Sequence, residues 1–217
     1  MRACATTLAA EMTSAEHQLL VQTLVSLSGQ RLHLEIGTAA GGTLCAMLAA
    51  FPADRRPSFV VVDPLKYFPN QLETIHRNLE DHRLDPTKVD FRAATSKKAF
   101  PAAARRGEQY DFILVDGCHR IESVTQDLKW TRLLAPGGFL CFHDYAPKFL
   151  GVKMPVDRFL KKHPNYRIAA QADSLLVVRK VAASDHLEVD LSDQIYARFW
   201  SIQHRINRKM NRWKRAA

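Results

Sequence analysis

Five short apolar runs recur between residues 31 and 144, each ending in polar residues and each followed by a stretch with helical spacing. The runs are RLHLEI (31–36), SFVVVD (58–63), KVDFRA (88–93), YDFILVD (110–116) and GFLCFHD (138–144). Helix candidates at 43–51, 69–82, 96–105 and 121–134 fill the gaps between them. Strands joined by helical crossovers lie parallel in one sheet, with helices on both faces. A leading helix, TSAEHQLLVQTLVSL, opens on Thr13 or Ser14 as its N-cap. LAPGG reads as the turn that ends the 121–134 helix and starts the next strand. A helix over 152–162 and a closing antiparallel pair, YRIAA and SLLVVRK, bring the sheet to seven strands.

The first strand stops in a glycine-rich turn, LEIGTAAGGTL (34–44), which holds Gly37, Gly41 and Gly42. So many glycines in so short a span mean unusual backbone dihedrals or a close neighbour. The spacing G-x-x-x-G-G is neither G-x-G-x-x-G nor a P-loop, since Thr43 follows with no lysine. The carboxylate of Glu35 would repel a pyrophosphate. A nucleoside carrying a positive or zwitterionic group fits better, and a tight strand–helix turn without a ligand stays open on the glycines alone.

The 217-residue chain is long enough for one domain with a sizeable core, and 47% apolar with 24% charged residues is an ordinary globular composition. No apolar run approaches the roughly 20 residues that span a bilayer. The opening MRACATTLAAEM is interrupted by Glu11 and is not read as a signal peptide. Cys4, Cys45, Cys118 and Cys141 show no zinc-knuckle spacing, and Cys45 and Cys141 sit in apolar runs. This usage points to a reducing compartment, so the expected location is cytoplasmic. The net charge of +9 is concentrated: seven basic residues fall from Arg198 to Arg215, with no acid after Asp193. The rest of the chain is nearly neutral, which argues against a nucleic-acid footprint.

Ligands of open α/β sheets bind beyond the carboxyl ends of the strands. Here those ends are polar: Glu35-Ile36-Gly37, Asp63, Thr95-Ser96, Asp116-Gly117-Cys118-His119 and His143-Asp144. A lone Asp63 before Pro64 is commonly a turn cap. In company with four other polar strand ends it reads as an acceptor for a ribose diol.

HLEIGTAAGGT, VVVDP and YDFILVDGCHRIESVTQDLKWTRLLAPGGFLCFHDY together resemble the motifs of class I S-adenosylmethionine-dependent methyltransferases. More narrowly, they are similar to small O-methyltransferases of the catechol and bacterial natural-product type, over about residues 31–180. The resemblance implies a Rossmann-like sheet and S-adenosylmethionine as cofactor. It places Gly37, Thr38, Ala39 and Gly41 against the methionine portion, with Glu35 fixing the turn and the amino end. It implies Thr43 for the cofactor carboxylate at a helix start, Asp63 for the ribose, Ser96 for the adenine edge, and Asp116 beside them. The residue three after the strand-end aspartate serves as base in similar enzymes, which makes His119 the candidate for deprotonating a hydroxyl, oriented by Asp116 and His143. A surface histidine at a helix start is the plainer alternative. Metal-dependent relatives hold Mg²⁺ after the fourth and fifth strands, where Asp116 and Asp144 stand. His143 and Tyr145 are not hard oxygen ligands, so a Mg²⁺ or Mn²⁺ ion and a metal-free site are both open.

Three parts are expected: an N-terminal helical extension (1–29), an S-adenosylmethionine-binding domain (30–181), and a linker with a basic amphipathic helix (182–217). In the last of these, Ile195, Phe199, Ile202, Ile206, Met210 and Trp213 recur three or four apart. Docking on the body or a partner subunit, an anionic membrane surface, and a nucleic-acid arm compete for this helix, the last being weakest. Association with lipid or a subunit, dispensable for cofactor binding, is the expectation, and it would make the chain peripheral at a membrane. The acceptor expected is a small molecule or the sugar of a glycan or glycolipid. A noncatalytic cofactor-binding subunit and an RNA methyltransferase are the rival readings.

Overall fold

The computed structural model describes residues 12–27, 31–184 and 187–216, without the side chains of residues 204, 205 and 207–216. Cys4 and most of the segment before α1 therefore lie outside the described residues. Helix α1 (Ser14–Val25) leads into β1 (Leu32–Ile36), α2 (Gly42–Ala49), β2 (Phe59–Asp63), α3 (Gln71–Asp81), β3 (Val89–Ala93) and α4 (Ser96–Arg105). The chain continues through β4 (Tyr110–Val115), α5 (Ile121–Asp127), β5 (Leu134–Phe142) and α6 (Leu150–Lys162) to the hairpin β6 (Tyr166–Ala172) and β7 (Leu175–Lys180), and then α7 (Leu191–Ala216). All seven strands form one sheet in the order β3-β2-β1-β4-β5-β7-β6. The first five strands run parallel, and β7 is antiparallel to both β5 and β6.

Strand residues two apart fall on the same face, and the core divides accordingly. Leu34, Val60, Ile113 and Leu140 pack towards Ala103 of α4, Val124 of α5 and Val156 of α6. Their neighbours Phe59, Val61, Phe112 and Cys141 pack towards Leu20 of α1, Leu44 of α2 and Ile75 of α3. Burying each such side chain contributes about 1.5–3 kcal/mol, and two filled faces explain why these strands are apolar at nearly every position. The α1 start is a capping box: Thr13 Oγ1 accepts from the Glu16 N–H, and Glu16 accepts from the Thr13 N–H.

Two expected boundaries move. The segment LAPGG belongs to β5, which already starts at Leu134; Gly137 takes a φ of 88°, and the register against β4 slips between Tyr110 and Phe112. The glycines thus serve an irregularity inside a strand. The expected 121–134 helix stops at Asp127 and continues as a 3₁₀ segment, Leu128–Leu133. There the Thr131 carbonyl accepts from Tyr166 Oη and Lys180 Nζ, so it is taken by tertiary partners.

The residues leading into α7 are fastened to the body. His163 Nε2 donates to the Glu188 carbonyl at 2.9 Å, and Lys162 Nζ reaches Asp190 at 3.0 Å and Asp193 at 2.6 Å. Arg158 pairs with Asp193 at 2.7 Å and lies over the Tyr196 ring, 4.6 Å from its centre. Beyond this anchor, Phe199, Ile202 and Ile206 are exposed along one side of the helix. No helix among the described residues is long and apolar enough to cross a membrane.

Candidate active site

The carboxyl ends of the parallel strands open onto one cleft of about 1190 Å³. Of the residues singled out from the sequence, Glu35, Gly37, Thr38, Ala39, Thr43 and Asp63 line it on the β1–β2 side. Ser96, Asp116, His119 and Asp144 line it from β3, β4 and β5. Gly41 and His143 stand outside its wall. Gly41 takes a φ of 82° at the start of α2, and a Cβ there would meet Ile75, 3.1 Å away, on the far side of the turn. His143 lies behind Asp116.

The turn is rigid before any ligand arrives. A Cβ on Gly37 would stand 2.4 Å from the Asp116 carbonyl oxygen and 2.5 Å from the Gly117 Cα. The first glycine therefore answers to the close approach of two strand ends, which the sequence cannot distinguish from the approach of a ligand. Asn78 Nδ2 and Gln71 Nε2 donate to the carbonyls of Ala40 (2.7 Å) and Ala39 (2.9 Å), pinning the loop from α3.

Two carboxylates in this cleft are set differently. Asp63 Oδ1 accepts from the Leu65 N–H at 2.6 Å and Gln71 Nε2 at 3.3 Å, whereas among the described residues Oδ2 accepts only from the Thr38 N–H at 3.2 Å. A carboxylate has about four acceptor positions, so Asp63 is oriented and still able to take a hydroxyl. Glu35 is fully buried, and both its carboxylate oxygens lack a hydrogen-bond partner among the described residues. Burial, offset in part by the nearby Thr38 hydroxyl and reinforced by the Asp116 and Asp63 charges, holds its carboxyl well above the usual range. An unpartnered buried acid facing a cavity is a seat for a cation, and the ammonium and sulfonium of S-adenosylmethionine fit it.

On the β4–β5 side four ionisable groups interlock. His119 Nε2 donates to Asp144 Oδ2 at 3.0 Å, and that contact holds the imidazole above its ordinary value. Its ring also meets Phe149 edge-on, with centres 5.1 Å apart. Gly151, in the first turn of α6, permits the placement: a Cβ there would stand 1.9 Å from the His119 carbonyl oxygen. Asp144 occupies the left-handed region at φ 58°, a strained conformation found at functional positions. Burial works against its charge, but His119 and His143 hold its carboxyl below the usual range.

His143 is enclosed by acids. Nδ1 donates to Asp116 Oδ1 at 2.9 Å, and Nε2 lies 3.6 Å from Glu16 Oε2. Burial disfavours its charge, yet Asp116, Asp144 and Glu16 outweigh that and push it up to about 9. Glu16 was not singled out from the sequence. Its position in Thr-x-x-Glu explains it completely as a helix cap, so nothing in that motif marks a second role.

Asp116, His143 and Asp144 have ligand atoms within 4.8 Å of one another, the spacing of an ion site. The two carboxylates are hard oxygen donors of the kind Mg²⁺ and Mn²⁺ take, and the imidazole is a softer third donor. A metal-bound imidazole must be neutral, so an ion here would compete with the proton that carboxylates at both nitrogens favour. The imidazolium puts positive charge between the two aspartates.

The C-terminal helix reaches the same cleft. Leu191, Gln194, Ile195 and Arg198 of α7 form part of its wall. The tail thus does not stand apart from the domain that residues 30–181 would make by themselves.

A sheet of this order, with a cleft across the ends of β1, β2 and β3 and an acidic glycine turn after β1, is the architecture of class I S-adenosylmethionine-dependent methyltransferases. A family model described as a methyltransferase domain matches residues 34–145, just over half of the chain. The protein belongs to that methyltransferase family. No curated protein sequence matches it. Among solved structures it is similar to the O-methyltransferase TomG from Streptomyces achromogenes, involved in tomaymycin synthesis and solved with SAM. That likeness has a TM-score of 0.64 and 17% identity, covering 79% of this chain and 82% of that one. An O-methyltransferase from Bacillus cereus in complex with SAH gives 0.61 and 17%, over 78% and 83% of the two chains. CalS11, a TDP-rhamnose 3'-O-methyltransferase of calicheamicin biosynthesis, gives 0.61 and 15%, over 75% and 76%. At these identities the likeness is one of fold.

Proposed function

We propose that this methyltransferase moves a methyl group to a hydroxyl of a small molecule, the sugar of a glycan or glycolipid included. The observation that carries the reading is the His119–Asp144 pair on the wall of a cleft that Glu35 and Asp63 also line. Bound S-adenosylmethionine supplies an electrophilic methyl on a cationic sulfur. Glu35 takes the amino end, Gly37, Thr38 and Ala39 shape the turn around it, and Thr43 at the start of α2 meets the carboxylate. Asp63 accepts from the ribose, and Ser96 lies towards the adenine. With Nε2–H committed to Asp144, His119 receives the hydroxyl proton at Nδ1, and the oxygen displaces the sulfur from the methyl carbon in line. Asp144 stabilises the imidazolium that results. Asp116 and the charged His143 hold this arrangement in place without themselves gaining or losing a proton.

Residues 30–181 form the Rossmann-like unit that supplies the strand-end residues of the donor site in this reading. The basic side of α7 beyond Arg198 associates with an anionic membrane surface or a partner subunit, giving a cytoplasmic enzyme that is peripheral at the membrane.

Calorimetry with S-adenosylhomocysteine tests the donor half of the proposal, and tight NAD binding instead would overturn it. His119→Ala is expected to keep that affinity while methyl transfer to a hydroxyl acceptor falls by ~10²-fold or more. Unchanged turnover in this variant would remove His119 from the chemistry.

A further inference from the structure

The polar groups of the cleft follow the sheet order. Glu35 ends β1, Asp63 ends the neighbouring β2, and Ser96 follows β3 on the other side of β2. Across that sequence lie, on the methyltransferase reading, the amino-acid end, the ribose and then the base. The far end is closed by helices: Ser96 of α4, Gln126 and Asp127 of α5, and Leu191 and Ile195 of α7.

Leu191 and Ile195 are held over this space with little against them, at 70% and 61% exposure. Their helix is nonetheless fixed. Asp193, between them in the sequence, is buried and paired with Arg158 and Lys162, and Ala197 is 2% exposed. Two aliphatic side chains on an immobilised turn thus face an open cleft. Across from them the acceptor chemistry is unfinished. Gln126 Oε1 is buried without a hydrogen-bond partner among the described residues, which costs free energy unless a donor arrives. Next to it the Ser96 hydroxyl donates to Asp127, whose carboxyl is pushed up by burial to about 7. An apolar cover beside a row of acceptors suits a flat ring with hydrophobic faces and an amine at its edge.

We propose that this end of the cleft seats the adenine of the donor, with Leu191 and Ile195 of α7 covering one face and Gln126 Oε1 accepting from the exocyclic amine. The inference rests on the methyltransferase reading and adds that the C-terminal helix is part of the donor site. The anchor on Arg158 and Lys162 then has a purpose beyond packing, because it sets the height of the cover over the ring.

The test is calorimetry on the full-length chain with S-adenosylhomocysteine and with S-inosylhomocysteine, which carries an oxygen in place of the amine. Failure of the unmodified protein to bind either compound would overturn the methyltransferase reading itself. Given binding, Leu191→Asp with Ile195→Asp should weaken S-adenosylhomocysteine by ~10-fold or more, since charged side chains cannot cover an aromatic face. Both positions are exposed, so the fold should tolerate the change. Ile206→Asp, exposed on the same helix beyond the cleft, should bind like the unmodified protein. The unmodified protein should prefer the adenosyl over the inosyl compound, and Gln126→Leu should narrow that preference. Undiminished affinity in the Leu191/Ile195 variant, an equal loss in Ile206→Asp, or a preference untouched by Gln126→Leu would each overturn the proposal.

Discussion

Glu16 Oε2 lies 3.6 Å from Nε2 of His143, although the two residues belong to the first helix and to the turn that follows the fifth strand. With Asp116 on Nδ1, this gives the imidazole of His143 a carboxylate at each nitrogen. The charge balance of the site therefore depends on a helix that precedes the whole sheet. The same glutamate caps its own helix, and it accepts from the Ser174 N–H at 2.8 Å and Oγ at 2.6 Å.

Glu16→Gln retains the cap geometry but removes one negative charge from His143. Its titration midpoint, followed by NMR, should move down from about 9. The stability linked to this group has a definite sign. A folded value raised above the ordinary 6.5 contributes fully below 6.5 and is lost as pH rises towards 9. In the variant that loss should be smaller and complete at lower pH, and superimposable pH–stability curves would show that Glu16 does not act on His143.

Asp144→Asn bears on the base. His119 must be neutral to take a proton, and Asp144 holds its value above 6.5. The kcat/KM of the unmodified enzyme should therefore rise with pH through an inflection above 6.5. Without the carboxylate the inflection should move to lower pH. An inflection that stays in place would assign it to another group.

Asp63→Ala should weaken S-adenosylhomocysteine binding by ~1–3 kcal/mol, the cost of losing a charged acceptor. It also frees the Thr38 and Leu65 N–H groups that the carboxylate now holds. Hydrogen exchange at those two amides should rise in the variant. Protection unchanged at both amides would mean that the loop is held from elsewhere.

Binding should also release a proton at Glu35. Its carboxyl is held well above the usual range while it lacks a partner, and an ammonium placed against it favours the charged form. The calorimetric enthalpy should depend on the ionisation enthalpy of the buffer, and affinity should rise with pH. A buffer-independent enthalpy would show that Glu35 does not change its charge.

If the imidazolium of His143 stands between Asp116 and Asp144 in place of an ion, dialysis against a chelator should leave turnover unchanged. Activity lost on chelation, restored by Mg²⁺ or Mn²⁺, and absent in Asp144→Ala would overturn the metal-free site.

Much of this was legible in the sequence because the relevant signals are local. A doubly buried strand has to be apolar throughout, and the five parallel strands lie where their apolar runs do. Thr13 proved to be the N-cap because a hydroxyl three residues before a glutamate has a mechanical role. Asp63, Glu35 and His119 were visible as polar interruptions at strand ends, and they line one cleft. What escaped depends on contacts remote in sequence. Glu16 reads fully as a cap, so its approach to His143, 127 residues on in register with β5, leaves no trace in the local pattern. The amphipathic spacing of α7 signals a face to be buried but not which surface meets it. The 3₁₀ segment after Asp127 follows from a carbonyl taken by Tyr166 and Lys180, which no helical periodicity encodes.

The reversed strand β7 has a practical consequence for anyone fusing a reporter or an epitope tag to this enzyme. Because β7 runs against its neighbours, the Asp173–Ser174 hairpin tip emerges at the same end of the sheet as the cleft. Surface turns ordinarily accept inserted peptides. This one is stitched to two other segments, the start of α1 and the turn after β5: Thr13 Oγ1 donates to Asp173 at 2.7 Å, the Tyr145 N–H to the Ser174 carbonyl at 2.8 Å, and Ser174 itself to Glu16. A tag placed there would leave the barcode-like order of the strands intact and still silence the enzyme by pulling Glu16 from its station. The turn at Gly107, exposed at the opposite end of the sheet with no atom within 4 Å of a would-be Cβ, is the place to put one.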